Sequence, residues 1–307
     1  MNILVTGASG LIGGYTVRSL RTEGFKVTAV CRKGMAGDAD ADGMVKADLT
    51  EPSAENIITA IRPDVIVHCA AAIPADFFGE EAQRAARINR QMDDLVLRAC
   101  RGLGARLVYC SSASVYGATG SPWHEESSLA PFGAYAAAKV ETETKIGRSG
   151  LSHVILRLSS PYAAGQRGRN VLLLFIERAL QNLDLLYYGT GARQQDFTAA
   201  ADVAEAVKHA VLRPAVSGIF NVASGSSVTM KQLGELVLKC VAGCKSKVRP
   251  AGHDDPQESY RAAFNVAKAR ALLDWSAATP LARGISDWAA ALRNHTGSTV
   301  SKTATVC

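Results

Sequence analysis

Ile3-Leu4-Val5-Thr6-Gly7-Ala8-Ser9-Gly10-Leu11-Ile12-Gly13 is the stretch on which the fold turns. A short apolar run passes directly into glycines spaced G-x-x-G-x-x-G, and an amphipathic pattern follows over 11–23. Glycines alone mark ordinary turns. Placed between a first strand and a helix, they let backbone N–H groups and the positive helix end face a pyrophosphate. Gly7, Ser9, Gly10, Leu11, Ile12 and Gly13 are therefore candidate dinucleotide contacts.

Outward from that turn, apolar runs at 27–31, 65–69, 107–110 and 154–158 alternate with helical patterns at 54–61, 80–101 and 135–148. Each run is short and rich in Val, Ile or Leu, as strands buried on both faces should be. The expected architecture is α/β, a Rossmann-type doubly wound parallel sheet with a small C-terminal substrate lobe. The sheet domain is assigned 1–160 plus about 195–223, the lobe 161–194 and 224–294, and 295–307 is expected to be a disordered tail.

Composition agrees with a globular enzyme and excludes several other classes. Of 307 residues, 48% are hydrophobic and 20% charged, the balance of a folded domain. The net charge of 34 − 28 = +6 comes from scattered residues, not from a basic run, so neither nucleic acid nor a membrane is expected as partner. Apolar runs fall well short of a bilayer span. Seven cysteines show no metal-like or C-x-x-C spacing, and Cys31, Cys69 and Cys110 read as small buried thiols in a reducing compartment. No metal is expected. With the first strand beginning at Asn2 and no targeting segment ahead of it, a cytoplasmic location is expected.

At the end of the second strand stands Cys31-Arg32-Lys33, where an acidic residue would bind an adenosine ribose. A guanidinium fork suits a 2′-phosphate and Lys33 adds a second charge, so NADP(H) is favoured, with NAD(H) possible. The bland reading is a solvated Arg-Lys pair.

Tyr135-Ala136-Ala137-Ala138-Lys139 sets a phenol and an ammonium on one face of a helix. A phenol near a cation, and near an oxidised nicotinamide, forms phenolate more easily and can exchange a proton with a substrate hydroxyl. Upstream, the buried strand of Leu107-Val108-Tyr109-Cys110 runs into Ser111-Ser112-Ala113-Ser114-Val115-Tyr116-Gly117, hydroxyls well placed to steady a developing oxyanion.

Together these motifs resemble the extended short-chain dehydrogenase/reductases, the NAD-dependent epimerase/dehydratase family, over roughly residues 2–290. The resemblance gives Ser112 the catalytic hydroxyl role beside Tyr135 and Lys139, and has Lys139 also hold the nicotinamide ribose. It makes Asp48 and Leu49 the adenine-side contacts, Cys69-Ala70-Ala71 the small-residue turn under the cofactor, and Asn89 the family's helix asparagine. Expected substrate contacts are Ser112, Tyr135, Ser160, Asn170, Arg193, Gln195 and Arg261, and a homodimer is expected.

Departures from the family pattern bear on the substrate. Ser160 replaces a common Asn and Gln195 a common Arg, while Ala113-Ser114 replaces the Asp-Glu pair with which dehydratases expel water. The reading is a keto-sugar reductase acting on a nucleotide-linked sugar. Alternatives are a nucleotide-sugar 4-epimerase with retained cofactor, a reductase of a small lipophilic ketone or aldehyde, and a non-catalytic NADP(H)-sensing module. Arg167, Arg169 and Arg193 read as solvated arginines or as a diphosphate clamp; His124 reads as a surface residue, Phe77-Phe78 as lid or core packing, and Asp202 as a helix N-cap.

Overall fold

A computed structural model describes residues 1–32, 41–74, 78–118, 120–166, 168 and 170–300, with side chains to residue 294. Its first half alternates strand and helix: β1 (Asn2–Thr6), α1 (Leu11–Thr22), β2 (Lys26–Cys31), β3 (Gly43–Lys46), α2 (Ser53–Ile61) and β4 (Val65–His68). Then come α3 (Gly79–Leu103), β5 (Arg106–Ser112), α4 (Gly133–Gly147) and β6 (His153–Leu158). The second half holds β7 (Ser160–Tyr162), α5 (Val171–Leu180), β8 (Leu185–Tyr187), β9 (Gln194–Ala199), α6 (Ala200–Leu212) and β10 (Gly218–Val222). It closes with β11 (Ser227–Thr229), α7 (Met230–Cys240), β12 (Val248–Pro250), α8 (Ala267–Leu273) and α9 (Leu281–Val300).

Seven strands form one parallel sheet in the order β10-β6-β5-β4-β1-β2-β3. Successive side chains along a strand point to opposite faces. Ile3 and Val5 accordingly join a core with Val17 and Leu20 of α1 and Val207 of α6. Leu4 joins the opposite core, with Ile58 of α2, Val96 of α3 and Ile146 of α4. Both faces being covered explains the unbroken apolar strands. The chain winds from β1 to β2 on one side and returns to β4 on the other, so a crevice opens outside the carboxyl ends of β1 and β4.

The lobe has its own core, where Leu172 and Phe175 of α5, Phe197, Leu233 of α7 and Trp288 of α9 pack under a three-stranded sheet of order β11-β9-β7. Its composition corrects the expected boundaries. Gln194–Ala199 lies in the lobe sheet, whereas β10 belongs to the large one and α6 packs into its core. Farther on, Ala269, Leu273 and Trp275 return to the main core, the Trp275 indole donating to the Asp202 carbonyl at 2.9 Å. Such a return leaves no local signal, since α8 is only seven residues long.

Two smaller expectations also change. Asp202 is not an N-cap: Ala199 occupies that place, and the Asp202 carboxylate accepts from Thr279 N at 2.9 Å, tying down the segment after α8. Helix α9 continues to Val300, past the expected start of the tail at 295, and residues 301–307 lie outside the described residues.

Candidate active site

The glycine turn is built as the spacing predicts, by contact and not by flexibility alone. Gly7 sits at φ +65°, and a Cβ on it would lie 2.7 Å from the backbone of Ala70. At Gly13 a Cβ would fall 2.2 Å from the Gly7 carbonyl oxygen, so only hydrogen lets α1 pack this close to β1. Gly10 caps α1 with no side-chain bond, so the first-turn N–H groups that begin at Leu11 receive no side-chain acceptor at the cap. Ser9 and Gly10 line its wall and Ile12 lines the neighbouring cleft, while Leu11 begins the helix.

A groove of about 250 Å³ runs from this turn past Arg32, Asp48 and Leu49. Arg32 is exposed at the end of β2, and Lys33 lies outside the described residues. Asp48 Oδ1 accepts from the Thr50 N–H and hydroxyl at 3.0 and 2.7 Å, which hold its carboxyl below its ordinary range; nearby Arg32 acts in the same direction. Cys69, Ala70 and Ala71 form the groove floor after β4. Asn89 is fully buried and does not line the groove. Its amide donates to the Ala72 carbonyl at 2.9 Å and its Oδ1 accepts from Ala72 N at 2.7 Å, which fixes the turn from behind.

Cys69 and Ala71 are shared with a second cleft of about 410 Å³, lined by Ser112, Ser114, Tyr135, Ser160, Asn170, Arg193 and Gln195. Ser112 ends β5, its Oγ 2.9 Å from Ser114 Oγ. Tyr135 lies in the first turn of α4 and lines the cleft. Lys139, 1% exposed, lies below it, donating to Tyr109 OH at 2.9 Å and to the Cys110 carbonyl at 3.1 Å. Burial raises the Tyr135 pKa, Lys139 lowers it, and Asp93 and Cys110 raise it, leaving the phenol above its ordinary value. The pull of Lys139 foreseen from spacing is present, but burial outweighs it.

On the lobe side the two replaced residues meet, Gln195 Nε2 donating to Ser160 Oγ at 2.5 Å. Asn170 caps α5, its Oδ1 accepting from Leu173 N at 2.9 Å. The Arg193 guanidinium reaches Gln257 Oε1 at 2.8 Å and Asp255 at 3.0 Å. Arg261 does not join them: it stands outside the cleft wall, its guanidinium donating to the Glu258 and Tyr260 carbonyls at 2.5 and 3.1 Å. Arg167, Arg169 and Phe77 lie outside the described residues. His124 is exposed and off the cleft, and Phe78 meets Phe132 edge-on at 4.9 Å. Among the described residues no cluster suited to a metal ion occurs, and no helix is long and apolar enough to cross a membrane.

Several contributors went unread in the sequence. Trp123, fully buried, stacks on Tyr116 at 5.2 Å and braces the turn after β5. Arg157 pairs with Glu143 at 2.7 Å, and Ser111 donates to the same carboxylate at 2.5 Å, locking β6 and β5 to the Tyr135 helix. A third is the contact between Cys69 and Cys110, whose sulfurs lie 3.6 Å apart in the cleft lining. The double-acidic Asp93-Asp94 was the one available hint of a fourth feature, a buried carboxylate under the site.

A model of the NAD dependent epimerase/dehydratase family matches residues 3–223. The chain is 27% identical over 240 residues to a dTDP-4-dehydrorhamnose reductase of Salmonella typhimurium, covering 77% of each. It is also 27% identical over 306 residues to a dTDP-glucose 4,6-dehydratase of Streptomyces niveus, covering 93% of this chain and 90% of that enzyme. The crystal structure of the Thermus thermophilus UDP-glucose 4-epimerase in complex with NAD superposes with a TM-score of 0.84 at 26% identity, over 95% of this chain and 99% of that one.

Proposed function

The chain belongs to the NAD dependent epimerase/dehydratase family, and from that premise we propose that it reduces a keto group on a nucleotide-linked sugar with NADP(H). The observation that carries this reading is the convergence of Ser112 and Tyr135 on one cleft, with Lys139 enclosed beneath, continuous through Cys69 and Ala71 with the glycine-turn groove.

The residues suit a nicotinamide dinucleotide. A cradle that a Cβ at Gly7 or Gly13 would fill, and an uncapped helix start, fit a pyrophosphate. Gly7, Ser9 and Gly10 would hold that part, Arg32 and Asp48 the adenosine end, and the small floor of Cys69-Ala70-Ala71 the nicotinamide side. When bound, such a cofactor supplies or accepts the hydride and, when oxidised, a positive charge. Ser112 orients the substrate oxygen through its hydroxyl. Tyr135, a phenol held protonated by burial, gives its proton to the forming alkoxide in reduction and takes it back in oxidation. Lys139 stabilises the phenolate left behind.

Arg32 at the tip of β2 supports NADP(H), its fork matching a 2′-phosphate, although the Thermus relative was solved with NAD. With Ala113 and Ser114 in the turn after β5, no carboxyl stands there to protonate a departing hydroxyl, which disfavours dehydration. The retained Tyr135 and Lys139 argue for catalysis over sensing alone. The family resemblance supports a homodimer that uses two helices of each subunit, α4 among them.

Epimerisation is the second reading, favoured by the likeness to the Thermus epimerase over nearly the whole chain. Purified protein assayed with UDP-, GDP- and dTDP-linked keto sugars and with UDP-hexoses, while reduced nicotinamide is followed, separates the two. Net consumption of NADPH with a keto sugar is the expected result; isomerised product without net consumption overturns it.

A further inference from the structure

Asp93 lies near the middle of α3 with 1% exposure, on the face that packs against the sheet and α4. A carboxylate in such a place is costly unless it is paired and its lone pairs are filled. Here they are. Oδ1 faces His68 Nε2 of β4 at 2.9 Å, and Oδ2 accepts from Tyr109 OH of β5 and Thr142 Oγ1 of α4, each at 2.7 Å. The chain of bonds continues at both ends. Thr6 Oγ1, just before the glycine turn, lies 2.6 Å from His68 Nδ1, and Lys139 Nζ donates to Tyr109 OH at 2.9 Å.

The other buried carboxylates nearby are already engaged, Glu143 by Arg157 and Ser111 and Glu125 by Asn221 N. Asp93 is thus the carboxylate left to match the enclosed Lys139, with a single phenol between them. Burial and then Asp93 push the Tyr109 pKa far up, so Tyr109 stays a neutral link that accepts from Lys139 and donates to Asp93.

We propose that Asp93 is a positioning residue for the proton-transfer pair: through Tyr109 it balances the Lys139 charge and aims the ammonium beneath Tyr135. This rests on the reading of Tyr135 and Lys139 as that pair. The groups facing Tyr135 are Lys139 on its own helix, Asp93 from α3, and Tyr109 and Cys110 from β5, with Ser112 donating a hydrogen bond. Asp93 and Lys139 act on it with opposite sign. Burial is what holds Tyr135 a phenol; the Asp93 charge adds to that effect, and the Lys139 ammonium opposes it.

The two signs give the test. Full-length protein labelled at the tyrosine ring Cζ is titrated by NMR, Tyr135 being assigned by difference from Tyr135→Phe. Asp93→Asn removes the charge and keeps the shape, so the Tyr135 titration moves to lower pH. Tyr109→Phe keeps both charges but cuts the link, weakening the pull of Lys139, so the titration moves to higher pH. Thr142→Val takes one bond from the same carboxylate without changing charge and leaves the titration in place. Equal titrations in Asp93→Asn and Thr142→Val, or an unmoved titration in Tyr109→Phe, overturn the proposal; the second arm decides the matter if Asp93→Asn fails to fold. No substrate enters this experiment, so its outcome stands apart from whether a nucleotide-linked keto sugar is turned over.

Discussion

The floor of the cleft and its lobe-side wall are built on different terms. Directly under the floor, His68, Asp93, Tyr109 and Lys139 are each about 1% exposed and come from adjoining strands and the two helices that cover them. Their positions are set by the sheet, and every bond in the chain from Thr6 to Lys139 is made within the protein. On the wall, Ser160, Asn170, Arg193 and Gln195 are half-buried, stand at or next to the starts of β7, α5 and β9, and bond to one another or to the lobe. A rigid floor keeps one chemistry available, and a wall of exchangeable side chains decides which molecule receives it.

The contrast is broken most severely at Tyr135. Tyr135→Phe is expected to lower kcat by about 10²–10⁴-fold, the usual worth of a placed acid–base group, while cofactor binding followed by fluorescence stays near the parent value. Lys139→Met should separate the floor from an ordinary surface: it leaves Asp93 its bonds from His68, Tyr109 and Thr142 but removes the enclosed ammonium that balances it, at a cost of about 3–5 kcal/mol in denaturant unfolding. A loss below about 1 kcal/mol would mean that the charges are not matched as described.

On the wall the effect should be smaller and of another kind. Gln195→Arg places a charge where Gln195 now holds Ser160, and is expected to change KM for a nucleotide-linked substrate by about tenfold with kcat nearly constant, as one charged hydrogen bond allows. A fall in kcat instead would show that wall and floor are coupled.

Acid titration sharpens the picture most finely. Burial raises the Asp93 pKa, but Lys139 and the bonds from His68 and Tyr109 prevail and hold it at about 2. Since an unfolded Asp titrates at ~3.9, the stability that Asp93 contributes is complete above that pH and is lost as pH falls toward its folded value. Acid unfolding should show this segment in the parent and not in Asp93→Asn.

These regions also differ in how far the sequence discloses them. The glycine turn, the strands and the Tyr135–Lys139 spacing are patterns among near neighbours, and the structure builds them with ends shifted by a residue or two. Asp93 is hidden by its neighbour: Asp94, one residue on, pairs at the surface with Lys145 at 2.5 Å, and a helix advances by about 100° per residue, so one Asp faces water and the other the core. Trp123 and Trp275 lie outside any period and gain their roles from contacts distant in sequence. In the lobe, strands of three residues offer no alternation to read, and Arg261, expected at the substrate, turns to backbone carbonyls instead.

The most direct measurement uses NADPH deuterated at its transferable position, mixed with protein and a nucleotide-linked keto sugar for a single turnover, followed by mass analysis of the sugar. One deuterium is expected in the reduced sugar with the parent protein, and over the same interval at least about 10²-fold less label with Tyr135→Phe. Isomerised sugar free of label, or equal labelling by the two proteins, would contradict this.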